Sequence, residues 1–182
     1  GISLCLLGTA QKANKQNREA ESSYKQSLKV LNRAEKAALD KVSADRANNI
    51  QTLDVAPRLV VEDLAASLTC LGDLYNSMEN YSDAVKCFQK ASERYNDIIT
   101  KYSMGLAAQD LVLEQEYMQS LLDLGRAAVK SNNLELAENT YRSILKIAAG
   151  STCSEYQRRE VRDELLTLLQ KEGRQNEAGS LV

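Results

Sequence analysis

Histidine and tryptophan are missing from this 182-residue chain, and proline and phenylalanine occur once each. Without histidine there is no Ser-His-Asp or Cys-His nucleophile pair and no imidazole metal site, and the commonest general base is gone. The expectation is a protein that is not an enzyme. No glycine-rich phosphate cradle occurs, so no cofactor is expected. A single proline leaves little to break helices. No run approaches the roughly 18 apolar residues of a membrane span. Positive charge is not in excess: 23 Lys and Arg stand against 25 Asp and Glu, for a net charge of -2. That balance gives no field to attract nucleic acid. Cys5, Cys70, Cys87 and Cys153 form no CxxC or other short ligand spacing. They read as buried free thiols in a reducing compartment, which implies an intracellular protein, cytoplasmic or nuclear. The opening GISLCLLGTAQ is apolar but has no basic leading segment, and it fits a structural repeat better than a signal peptide.

What the chain has in quantity is helix formers, with 43% hydrophobic and 26% charged residues. The reading is all-α, one domain over residues 1–182. The segment LTCLGDLYNSMENYSDAVKCFQKA adds a pattern that no generic amphipathic helix needs. Numbered from Ala65, it places Leu68, Leu71, Gly72 and Tyr75 at positions 4, 7, 8 and 11, then Ala84, Phe88 and Ala91 at 20, 24 and 27. The 3.6-residue period puts each set on one helix face. Small residues at 8 and 20 let two antiparallel helices approach, and the large ones fill the space around that contact.

These residues resemble the tetratricopeptide repeat. The register recurs from Gly1 with Leu4, Leu7, Gly8, Ala20, Tyr24 and Ser27, position 11 departing as Gln11. It recurs from Met118 with Leu121, Leu124, Gly125, Ala128, Ala137 and Tyr141, Ile144 replacing a small residue. A weaker fourth copy holds Leu165, Leu169, Gly173 and Ala178, with Leu166 in place of the small residue at position 8. The resemblance implies a right-handed superhelical array of antiparallel helix pairs, an α-solenoid. The units are about 1–50, 58–102, 105–150 and a partial 154–182, the whole reading as a fragment of a longer protein.

Gly8 and Gly72 stand 64 residues apart and Gly72 and Gly125 stand 53 apart, against a usual period of about 34. The surplus reads as lengthened hairpins, similar in size to those of kinesin-light-chain-like and vesicle-fusion-adaptor proteins but without a motif specific to either. Leu28, Leu31, Ala34, Ala38 and Val42 make an apolar stripe along the extended second helix of unit one. Asn48 through Pro57 reads as the inter-repeat loop, Gly105 as a turn, and Ser154 with Gln157 as a capping box. Asn80 and the pair Asn132-Asn133 precede second helices. The expected helices are 2–14, 17–47, 58–78, 81–102, 105–131, 133–149, 154–172 and 175–181.

Tyr24, Tyr75 and Phe88 read as core, and the carboxylates and arginines as solvated faces. What remains for function is a surface. The resemblance implies that first helices line a groove for a partner peptide or helix, with positions 2, 5, 9, 12 and 13 facing it. Carried over, these are Cys5, Thr9 and Lys12 in unit one, and Thr69, Asp73 and Asn76 in unit two. Unit three offers Gln119, Leu122, Arg126 and Lys130, and the fourth would add Asp163, Thr167 and Lys171. A version of the fold that clamps chaperone C-terminal carboxylates needs Lys, Arg and Asn where this chain has Cys5, Thr9, Cys70, Gln119 and Asp123, so a chaperone tail is not the expected partner. The alternative is a structural or regulatory segment packed on other domains of a larger enzyme or complex.

Overall fold

The computed structural model describes residues 1–48, 55–101, 107–150 and 155–179. Helices take up 91% of them and no strand occurs among them. In chain order they are α1 (Ile2–Ala13), α2 (Asn17–Ala47), α3 (Val55–Ser77), α4 (Tyr81–Lys101), α5 (Ala107–Lys130), α6 (Leu134–Gly150), α7 (Glu155–Lys171) and α8 (Gln175–Gly179). Each helix packs on the next, and α1 also touches α3.

The hairpins close where the small residues predict. A Cβ built on Gly8 would lie 2.8 Å from the Tyr24 ring, and one on Gly72 2.8 Å from Phe88; Gly125 is closer still to Tyr141. Ala20, Ala84 and Ala137 hold the small position of the second helix in these hairpins and Ala178 that of the fourth, all buried. Tyr24, Tyr75, Phe88 and Tyr141 are buried in one continuous core that runs from α2 to α8.

All four hairpin turns share a backbone device that the residue pattern did not announce. Lys15, Glu79, Asn132 and Gly173 have φ of 60, 60, 60 and 73°, and each falls at position 15 of its unit. The next amide donates back across the turn to the position-11 carbonyl: Gln16 to Gln11 at 2.8 Å, Asn80 to Tyr75 at 2.9 Å, Asn133 to Ala128 at 2.8 Å and Arg174 to Leu169 at 2.9 Å. A left-handed residue followed by this long back-bond satisfies the carbonyls left over at a helix end. The fourth copy, weakest in side chains, obeys the same turn. Asn80 and Asn133 also cap the helices they precede, accepting from the Asp83 and Leu136 amides at 3.4 and 3.3 Å.

The lengthened hairpins do not stand free in solvent. The extended parts of α3, α4 and α5 make a second core of Val61, Ala65, Tyr95, Ile98 and Leu113, with Ile99 and Tyr117 against it. Arg94 on α4 ties Glu35 on α2 at 2.7 Å. The α2 stripe is only partly covered: Leu31 is buried, and Leu28, Ala34, Ala38 and Val42 are half-buried.

The structure corrects three boundary or core expectations. Helix α3 begins at Val55 and so includes Pro57 in its first turn, where the missing N–H would have no intrahelical partner anyway. Leu7 is 48% exposed, because no described residue packs over that face of α1 as α2 does over α3. Cys87 is buried as expected, but Cys5 and Cys70 are only partly so. Gly105, Ser154, Cys153 and most of the inter-repeat loop lie outside the described residues, as does the side chain of Gln157.

Candidate functional site: the face of the first helices

Helices α1, α3, α5 and α7 present one connected polar strip. Asp73 on α3 feels the charge of Lys12 on α1, and Asp123 on α5 feels that of Asp73. Arg126, one turn of α5 further on, donates from Nη2 to Glu160 at 2.7 Å and from Nε to Glu164 at 2.9 Å, both on α7. Lys130 Nζ donates to Asn76 Oδ1 at 3.1 Å across α5 and α3 and lies 5.4 Å from the centre of the Tyr81 ring. The 3.6-residue period of each first helix thus brings positions 6, 9, 12 and 13 of successive units to one side.

The strip has an acidic centre. Burial pushes the Asp73 carboxyl above the usual range, with Lys12 opposing. Burial does the same to Asp123, aided by Asp73 and opposed chiefly by a 3.1 Å hydrogen bond from Gln119. Neither carboxylate has an ion pair among the described residues, whereas Arg126 is already paired twice. Beyond Arg126 an open cavity of about 510 Å³ is lined by Arg126, Arg159, Glu160, Asp163, Glu164 and Thr167. The chemistry available is recognition: fixed, half-desolvated carboxylates beside hydrogen-bonding side chains.

The structure gathers most of the expected residues and relocates others. Lys12, Asp73, Asn76, Gln119, Arg126 and Lys130 share the strip. Thr9 turns its hydroxyl to the Cys5 carbonyl and the Tyr24 hydroxyl, each at 3.1 Å. Thr69 bonds the Ala65 carbonyl at 3.1 Å and reaches Tyr95. Leu122 is a correction: it is buried in the main core, against Val161 of α7, because α7 covers this part of α5. Asp163 and Thr167 are exposed at the far end, with Thr167 donating to the Asp163 carbonyl at 2.8 Å. Sequence reasoning missed Asp123 as a groove residue, along with Glu160 and Glu164. Asp123 was visible only as the wrong charge for a carboxylate clamp, and the two glutamates only as part of a mixed surface.

Residues 65–98 match the tetratricopeptide repeat family model. The chain therefore carries a tetratricopeptide repeat within a helical-repeat solenoid. Among solved structures it is similar to BtubC (BKLC) from P. vanneervenii, at 14% identity and TM-score 0.51, covering 87% of this chain and 54% of that one. It spans about half the length of that structure. Structures of nearly identical TPR-like repeats from Podosopora anserina, described as kinesin light chain, reach 18% identity over 99% of this chain and 90% of theirs, at TM-score 0.48. No curated protein matches the chain.

Among the described residues no helix is long and apolar enough to cross a membrane. Tetratricopeptide repeats are commonly protein-interaction modules.

Proposed function

We propose that the face of α1, α3, α5 and α7 is a scaffold surface that binds a peptide or helical segment of another protein, and that Asp73 and Asp123 receive a basic side chain of that segment. The observation that carries this reading is the pair of half-buried carboxylates, each raised by burial and without an ion pair among the described residues. A Lys or Arg placed between them would relieve both, and such contacts act mainly on specificity and association rate. Arg126 is a strut between α5 and α7 in this reading, not a contact residue, since Glu160 and Glu164 already hold it. An anionic chaperone tail would meet like charge here. Binding without catalysis, without a cofactor and without nucleic acid is part of the proposal, as is an intracellular setting, cytoplasmic or nuclear. It is supported by the lack of histidine and the net charge of -2.

The test is selection of a displayed peptide library on the full chain, with Asp73→Asn and Asp123→Asn alongside. Enrichment of Lys- or Arg-bearing sequences whose capture falls in both variants and in rising salt supports the reading. Selected sequences that bind wild type and variants alike overturn it.

A second reading, a segment packed against other domains, is favoured by the outer face of α1. Positions 3, 7 and 10 are buried in unit two (Ser67, Leu71, Leu74) and unit three (Ser120, Leu124, Ala127), and the 3.2 Å contact between Ser67 and Ser27 shows that the preceding second helix covers them. In unit one Ser3, Leu7 and Ala10 are exposed, beside Ile2 and Leu6 at 55% and 66%. That face is shaped for a helix. If it is a packing surface, Leu7→Glu will reduce self-association of the chain in sedimentation and leave peptide capture unchanged; unaltered sedimentation would discard this reading.

A further inference from the structure

The polar strip ends in the open cavity of about 510 Å³ between α5 and α7, where two arginines, Arg126 and Arg159, stand against three carboxylates, Glu160, Asp163 and Glu164. Arg159 and Asp163 pair only at 4.0 Å, both exposed. Arg126 holds Glu160 and Glu164 through the Oε1 of each, and among the described residues neither Oε2 has a hydrogen-bonding partner. One negative charge is left over, with two acceptor oxygens to spend on it. A second observation comes from the core beneath. Tyr141 on α6 is fully buried, and its hydroxyl has no hydrogen-bonding partner among the described residues. Tyr24 holds the same position 24 in unit one, and its hydroxyl meets the position-9 side chain, Thr9, at 3.1 Å. In unit three position 9 is Arg126, whose guanidinium is held by α7 instead. The Tyr141 ring lies against Gly125, the residue before Arg126: a Cβ there would stand 2.9 Å from the Cζ that bears the hydroxyl. Burial pushes the phenol's pKa up, with Glu164 adding to this and Arg126 opposing it, which agrees with a hydroxyl directed at the cavity wall.

We propose that this cavity is a lysine subsite: a side-chain ammonium of the partner segment donates to Glu160 Oε2, to Glu164 Oε2 and to the Tyr141 hydroxyl oxygen. The inference rests on the reading that this face binds a peptide or helix, and it adds a second basic residue to the one received by Asp73 and Asp123. The two places adjoin, since Asp123 feels the charge of Glu160. Three acceptors from three different side chains suit a compact ammonium with three rotatable donors. A guanidinium is served best by both oxygens of one carboxylate in its own plane, and here one oxygen of each glutamate already belongs to Arg126. The hydroxyl is closed off while the cavity is empty, so the partly exposed ends of Arg126 and Glu164 shift as the ammonium enters. The cavity is larger than an ammonium and holds the lysine stem as well.

The probe is N-acetyl-lysine methylamide, titrated into the isotope-labelled full chain and followed through the amide resonances, with the arginine and norleucine analogues alongside. Expected are saturable shifts at Arg126 and over residues 160–167 for the lysine compound, weaker ones for arginine and none for norleucine, all fading as salt rises. Tyr141→Phe keeps the ring against Gly125 and should weaken lysine binding at these amides by about 3- to 10-fold, the scale of one hydrogen bond. Shifts around Asp73 and Asp123 should not change in that variant. Glu160→Gln combined with Glu164→Gln should abolish the shifts over 160–167. Lysine shifts around Asp73 and Asp123 alone would overturn the subsite and leave the peptide reading standing. Shifts over 160–167 alone, with no basic peptide enriched on the chain, would keep the ammonium site and sink that reading. No shift at these amides, arginine binding as tightly as lysine, norleucine moving the same amides, or Tyr141→Phe binding like wild type would each overturn the proposal. The three compounds on the wild-type chain decide this even if a glutamine variant folds poorly.

Discussion

Two neighbouring residues on α3 carry opposite consequences. Gly72 faces the buried Phe88 ring so closely that any Cβ needs the ring to move, and the ring has no free space because it is fully enclosed. Gly72→Leu is expected to lower stability by about 1–3 kcal/mol or more through overpacking, whereas Asp73→Ala should stay within about 0.5 kcal/mol. Equal urea midpoints for the two variants would contradict the register. Asp73 also gives a pH signature. Its folded-state pKa lies above the unfolded one because burial disfavours the anion, so the folded state holds the proton more tightly. Stability is then lost as pH rises through the interval between the two values, and the penalty is fully present at neutral pH. Asp73→Asn should therefore be at least as stable as wild type at pH 7, with its advantage gone at about pH 3, below the ordinary range for Asp. A variant advantage that grows towards acid would refute the assignment.

At the scale of elements, the turn repeats more faithfully than the side chains around it. Three of the four position-15 residues adopt φ near 60° with a side chain attached, and only Gly173 is free of that cost. A left-handed L-residue costs roughly 1–2 kcal/mol, offset in part by the greater freedom glycine has when unfolded. Glu79→Gly is expected to stabilise the chain by up to about 1 kcal/mol by thermal or urea unfolding, and a destabilised variant would show that Glu79 makes a contact the turn geometry does not reveal. The extensions are a different matter. Ile98 and Tyr95 fill the second core that α3, α4 and α5 share, so the surplus over a standard repeat lengthens the solenoid's walls rather than forming separate arms.

The whole molecule is a chain of neighbours. Each helix rests chiefly on the next, so stability should be largely local and the units should respond separately. Arg126 bridges α5 to α7 through two carboxylates. Arg126→Ala leaves Glu160 and Glu164 facing each other without it, an effect that exposure limits to about 1 kcal/mol or less. Hydrogen exchange should quicken in α7 and α8 and stay unchanged in α3 and α4. Uniform acceleration along the chain would instead indicate one cooperative unit.

The sequence by itself determined the helix count, nearly all the boundaries and the hairpin register. Those depend on local periodicity and on which positions can hold no side chain, and both are written in residues a few turns apart: Gly72 against Ala84 and Phe88, Gly125 against Ala137 and Tyr141. It also placed Lys12, Asp73, Asn76, Arg126 and Lys130 on one common side, because that side follows from the same period. Tertiary structure decided what each of them does there. Whether Arg126 is free or spoken for depends on where α7 lies, and whether Leu122 lines a groove or a core depends on the same helix. Leu7 looked like core because its counterparts Leu71 and Leu124 are, but burial needs a covering helix, and among the described residues none lies over this face of α1.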